Sequence, residues 1–151
     1  MNPKEIIEVN DEIDVLVAKY PVVFKNMDKS SYYSLPAGWV SRVDKLCADL
    51  TVILEEHLKN NTYNPDEYPF TVLQIKEKFG GLRFYFTSFC EDHEFHKELC
   101  KLVDRAEDDT YSICEVTGKP GKLCKDGMHY HTFCEEIRIK NGFEVLGNGN
   151  S

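Results

Sequence analysis

No apolar run in this chain approaches the roughly 18–20 residues that a membrane-spanning helix needs. Nor is there an excess of positive charge: the formal net charge is −8, which argues against a general electrostatic attraction to nucleic acid or anionic membrane. An anionic ligand therefore needs a local basic pocket. Phosphate-loop, HExxH, Ser-His-Asp and nuclease signatures are all missing, so an enzyme is the least favoured class. His129, His131, Glu135 and three cysteines are the residues from which a nuclease or hydrolase site would have to be built. There is no internal repeat and no low-complexity block. The opening Met1-Asn2-Pro3-Lys4-Glu5 is polar and does not read as a signal peptide, so the expected location is the cytoplasm. In that compartment the six cysteines, Cys47, Cys90, Cys100, Cys114, Cys124 and Cys134, are expected to be thiols.

What is present suits one compact chain with a real core, since 42% of its 151 residues are hydrophobic. The expected fold class is α+β, with three main helices packed on a central antiparallel hairpin and a small C-terminal knuckle or ribbon. Residues 1–110 read as the helix–hairpin–helix core, 111–146 as the knuckle subdomain and 147–151 as a flexible tail.

The first helix is read over Asn2 to Tyr20, with Asn2 as cap and Pro3 at the first position. Pro21 ends it, Val22 to Phe24 form an apolar plug, and Lys25 to Pro36 read as a polar loop. The second helix, Trp39 to Asn60, carries Val40, Val43, Leu46, Cys47, Leu50, Ile53, Leu54 and Leu58 at helical spacing. The third is read over Glu91 to Asp109, with Phe95, Leu99, Leu102, Val103 and Ala106 inward. Its other face is acidic, while His93 and His96 read as surface residues. A ribbon around Asp126-Gly127 and a helical turn from Cys134 to Lys140, stopped by Gly142, complete the chain.

The densest segment is Gln74-Ile75-Lys76-Glu77-Lys78-Phe79-Gly80-Gly81-Leu82-Arg83-Phe84-Tyr85-Phe86. Alternation on both sides of the glycine pair reads as a hairpin, with the turn near Phe79-Gly80-Gly81. Leu82, Phe84 and Phe86 face the core; Lys76, Lys78, Arg83 and Tyr85 come together elsewhere. On the strand before the turn, Val72 shares a parity with Gln74, Lys76 and Lys78. Phe79 is assigned to the core. The candidate ligand-binding residues are Lys76, Lys78, Gly80, Gly81, Arg83, Tyr85 and Trp39. The cations would hold phosphate or carboxylate oxygens, with Arg83 bidentate. Tyr85 or Trp39 would stack on a ring, and the Gly80-Gly81 backbone would admit close approach. The alternative reading is an ordinary solvated strand face, with Trp39 a helix-start anchor against the hairpin. Since a lone hairpin leaves open strand edges, a homo-oligomer with a shared site is a further reading.

These segments resemble an uncharacterised family of small bacteriophage and prophage proteins. The resemblance rests on Tyr20-Pro21 with Phe24, Gly38-Trp39, Leu46-Cys47, the hairpin motif, Ala106-Glu107, Cys114-Glu115, Gly118, Pro120-Gly121 and Thr132-Phe133-Cys134. It implies a phage origin and a terminal knuckle, but no established activity. Similar proteins show Cys-x-x-Cys and Cys-x-x-His in the knuckle, which is a zinc set. Here Thr117 and Ile137 stand at two of those four positions. No cofactor is therefore expected, and the zinc alternative falls on Cys114, Cys124, His131 and Cys134. Two functions follow. One is a non-catalytic binder of a small anionic, nucleotide-like ligand, sequestering a signal of bacterial immunity. The other is an acidic interaction module that inhibits a host protein through the Glu91 to Asp109 face.

Overall fold

The computed structural model describes residues 11–88 and 91–146, so the expected helix start at Asn2 and Pro3, Cys90 and the tail at 147–151 lie outside the described residues. Among the described residues the fold is α+β, with five α-helices and two small antiparallel sheets of two and three strands. The helices are α1 (Asp11–Lys19), α2 (Pro21–Phe24), α3 (Val40–Asn60), α4 (His93–Thr110) and α5 (Glu135–Asn141). The strands are β1 (Thr71–Lys78), β2 (Gly81–Thr87), β3 (Lys122–Asp126), β4 (His129–Phe133) and β5 (Glu144–Val145). No helix among the described residues is long and apolar enough to cross a membrane.

The long helix α3 forms because 21 residues pass without proline or glycine, and apolar side chains recur at its inner face. Val43, Leu46, Cys47, Leu50 and Leu54 are buried there, joined by His57, whose ring stacks on Phe95 of α4 at 3.7 Å. Helix α4 starts at an Asp92 cap, which accepts a hydrogen bond from the Phe95 N–H at 3.1 Å. It packs against both α3 and β2, and Phe95, Leu99, Val103 and Ala106 are its buried face.

The first helix does not run through to Tyr20. It stops at Lys19, and Pro21 opens a four-residue helix of its own that buries Val23 and Phe24. Residues 25–36 are also more than a polar loop. Met27, Tyr33 and Leu35 are buried in the main core, and the Tyr33 hydroxyl donates to the Asp28 carbonyl at 2.7 Å. The same loop donates backbone hydrogen bonds to β1, from Asp28 to Val72 at 2.8 Å and from Ser34 to Ile75 at 2.9 Å.

Those bonds close one edge of the hairpin. Side chains of α4 close the other: Glu107 Oε2 accepts from the Phe84 N–H at 2.8 Å and Thr110 Oγ1 from the Leu82 N–H at 3.0 Å. Part of each strand edge expected to be open in a lone hairpin is thus occupied by the chain itself.

A shift of register between Val72 and Gln74 corrects the expected parity of β1. Val72 pairs with Phe86 and is fully buried, whereas Gln74 pairs with Tyr85. An extra residue at this bulge lets both Val72 and Ile75 face the core. A second buried cluster forms beyond α4 from Cys114, Cys124, Phe133 and Cys134, with Ile137 and Phe143 against it. The short β5, which no alternation announces, pairs with β3 through Cys124 opposite Val145.

Candidate functional site

The hairpin turn decides how the candidate residues are arranged. Lys78 pairs with Gly81, so Phe79 and Gly80 are the two residues of the loop. Both have positive φ, 53° and 83° respectively, as a type I′ turn demands. Phe79 consequently leaves the core: it is 59% exposed, which overturns its assignment as a buried residue. The type I′ geometry was the signal that would have found this.

On the strands, Lys76 lies opposite Arg83 and Gln74 opposite Tyr85. Directly opposed residues share a face, so Lys76, Lys78, Arg83 and Tyr85 are gathered as expected. Lys78 and Tyr85 are exposed; Lys76 and Arg83 are half-buried. The Tyr111 ring lies on this face over Gly81, where an added Cβ would meet it at 2.3 Å. The Tyr111 hydroxyl accepts from Arg83 Nη1 at 3.3 Å. Phe79, Tyr111, Leu123, Tyr130 and Leu146 then line an open hollow of about 490 Å³ at the hairpin tip. Within it, Phe79 and Tyr130 meet edge to face at 6.0 Å, and the Lys78 ammonium sits 5.6 Å from the centre of the Phe79 ring. Sequence reasoning missed Tyr111, Leu123, Tyr130 and Leu146, which reach the tip only through tertiary folding.

Three expected site residues play other parts. Trp39 is fully buried, and its indole N–H donates to the Ile113 carbonyl at 2.8 Å. It ties the start of α3 to the knuckle and presents no free face to a ligand. Gly80 and Gly81 are buried as well. The close approach they permit is made by the protein itself: an added Cβ on Gly80 would meet Leu123 at 2.5 Å. Gly80 donates its N–H to Glu77 Oε2 at 2.7 Å, and its carbonyl accepts from the Thr132 hydroxyl at 2.7 Å.

Directly behind this turn lies a polar cluster. Glu115 is buried; its Oε1 is 2.7 Å from His131 Nδ1, and its Oε2 accepts from the Thr132 N–H at 2.9 Å. Burial pushes the Glu115 carboxyl up, and the neighbouring Glu77 charge adds to this, against the opposite pull of the Thr132 N–H and His131.

The zinc set that the resemblance implies does not fit these residues. Thr117 fills its position by hydrogen bonding to the sulfurs, with its N–H 3.5 Å from Cys114 Sγ and its hydroxyl 3.7 Å from Cys134 Sγ. Ile137 packs on the sulfur cluster from the other missing position. Burial alone would push the Cys114 thiol up. The Thr117 hydroxyl and the N–H groups of Cys134, Thr117 and Val116 outweigh it and hold the thiol below its ordinary value. Nor does the substitute set of Cys114, Cys124, His131 and Cys134 converge. Cys124 Sγ donates to the His131 carbonyl at 3.2 Å, while the His131 ring turns to Glu115.

The chain matches no protein-family model, no curated protein and no solved structure.

Proposed function

We propose that the protein is a non-catalytic binder of a small anionic ligand carrying an aromatic ring, of nucleotide type, at the tip of the hairpin. The supporting observation is the junction of Arg83 with Tyr111, where a half-buried guanidinium meets an aromatic hollow in an otherwise acidic chain. Phe79, Tyr111 and Tyr130 offer faces and edges to a base, each stack contributing about 1–3 kcal/mol in comparable sites. Lys76, Lys78 and Arg83 supply charge-assisted hydrogen bonds to phosphate oxygens. In this reading α1, α3 and α4 form the frame on which the central hairpin is carried. The phage setting implied by the hairpin resemblance makes a nucleotide signal of bacterial immunity the first ligand class to test, with sequestration as the outcome.

Calorimetric titration with linear and cyclic nucleotides tests the proposal. Arg83→Ala is expected to weaken binding about 10- to 100-fold, the loss of a hydrogen bond to a charged group, with the melting temperature nearly unchanged. Binding that survives both Arg83→Ala and Lys76→Ala refutes this site. The alternative is inhibition of a host protein through the outer face of α4, where Glu94, Glu98, Asp104, Asp108 and Asp109 are exposed. Lys97, Lys101 and Arg105 are exposed among them, which weakens any mimicry of nucleic acid. A host protein captured by wild type and lost on reversing the charges of Glu98 and Asp104 would favour that alternative.

A further inference from the structure

Glu77, Glu115 and His131 lie on three separate segments, β1, the knuckle turn and β4, yet each offers a ligand atom within 4.8 Å of the other two. We infer that these residues form a binding site for a single first-row divalent metal ion, with zinc as the best fit. Imidazole and carboxylate together are the donor mixture that zinc takes, and two carboxylates balance its charge. This is a mixed nitrogen and oxygen set, chemically distinct from the sulfur-rich knuckle that Thr117 and Ile137 have closed.

Two further features fit a metal better than a chance meeting of side chains. Each carboxylate is fixed from behind by a backbone N–H, Gly80 to Glu77 Oε2 at 2.7 Å and Thr132 to Glu115 Oε2 at 2.9 Å. Such outer partners orient metal ligands and are what a prearranged site requires. Glu115 is also only 9% exposed, so little water competes for its carboxylate at this position. The 2.7 Å between His131 Nδ1 and Glu115 Oε1 is a hydrogen-bond distance. Two ligands of a tetrahedral zinc ion sit roughly 3.4 Å apart, so loading parts this pair by less than about 1 Å. With three protein ligands, water completes the coordination. The ion would clamp the hairpin to the C-terminal ribbon.

Zinc or cobalt chloride alone, added to the full chain without nucleotide, tests the inference. Native mass spectrometry should show one ion per chain. At a hundred times the dissociation constant the melting temperature should rise by about 5–10 °C. Glu77→Gln still accepts the Gly80 N–H; it and His131→Gln should each weaken metal binding at least tenfold, whereas Cys134→Ser should leave it unchanged. The cobalt form should show no thiolate charge-transfer band. The inference is overturned if wild type retains no ion and its melting does not move, if Glu77→Gln and His131→Gln bind as wild type does, or if Cys134→Ser abolishes binding and the cobalt form shows thiolate charge transfer.

Discussion

Replacing Gly38 with alanine tests how the start of α3 is held to the knuckle. A Cβ built on Gly38 lies 2.0 Å from the Cys114 carbonyl oxygen, and 2.7 Å from both Glu115 C and Gly118 N. All three are backbone atoms, so no rotamer change relieves the clash. The two segments must separate, and separation breaks the bond from Gly38 N–H to the Glu115 carbonyl at 2.8 Å. It also strains the bond from Trp39 to the Ile113 carbonyl next to it. Overpacking costs about 1–3 kcal/mol and each of the two hydrogen bonds about 0.5–1.5 kcal/mol, giving about 2–6 kcal/mol in all. For a chain of this size that is about 4–24 °C in melting temperature. Gly142 supplies the control. Unlike Gly38 it has positive φ, 73°, but nothing lies within 4 Å of an added Cβ. Gly142→Ala should therefore cost only the left-handed penalty of about 1–2 kcal/mol. Circular dichroism melts of the two variants are the assay. A Gly38→Ala protein melting within 2–3 °C of wild type (about 1 kcal/mol), or a Gly142→Ala protein as damaged as Gly38→Ala, would refute the reasoning.

Phe79→Asn should raise stability by about 0.5–1 kcal/mol, because asparagine accepts the positive φ of a type I′ turn, while weakening nucleotide binding; a urea titration beside a binding isotherm separates the two effects. Burial raises the Glu107 carboxyl, with Asp104 and Asp108 on its own helix adding to the rise and the Phe84 N–H and Arg83 opposing it. A carboxyl raised in the folded state stabilises it below the unfolded value of about 4.3, and that contribution is lost as pH rises through the folded value. Melting temperatures of wild type relative to Glu107→Gln should accordingly increase as pH falls from neutral to about 4; a flat or opposite trend would show that Glu107 is not raised. Burial pushes the Cys47 thiol up to about 12, with Asp44 adding to it. Mass spectrometry after alkylation at mildly alkaline pH should therefore find Cys47 unmodified in the folded chain and modified in urea.

Elements with strong periodicity were legible from the chain alone. The stripe of α3, the alternation of β2 and the Asp126-Gly127 ribbon each express one local rule, and they stand where those rules put them. The basic face was legible too, since opposing strands fix which side chains are neighbours once the turn is placed. What stayed hidden depends on contacts distant in sequence. A bulge at Val72 changes parity with no glycine to announce it. The buried Tyr33 looks like loop composition until β1 is beside it. Trp39 reads equally well as ligand platform or anchor, and the Ile113 carbonyl 74 residues away decides the matter. The carboxylates Glu77 and Glu115 look like ordinary surface charge, each in its own segment. Only the folded turn sets them beside His131.

The sealing of the hairpin edges bears on the order in which the chain can mature. The loop that covers β1 precedes the hairpin in sequence, so it is already synthesised when β1 leaves the ribosome. The residues that cap β2, Glu107 and Thr110, follow the turn by some 30 positions. A nascent chain halted between them has both strands of the hairpin but lacks the residues that cap β2, leaving Phe84 and Phe86 without α4. In that interval the edge is open to a neighbouring chain on the same polysome. It ends when α4 is complete and Glu107 and Thr110 take up the Phe84 and Leu82 N–H groups.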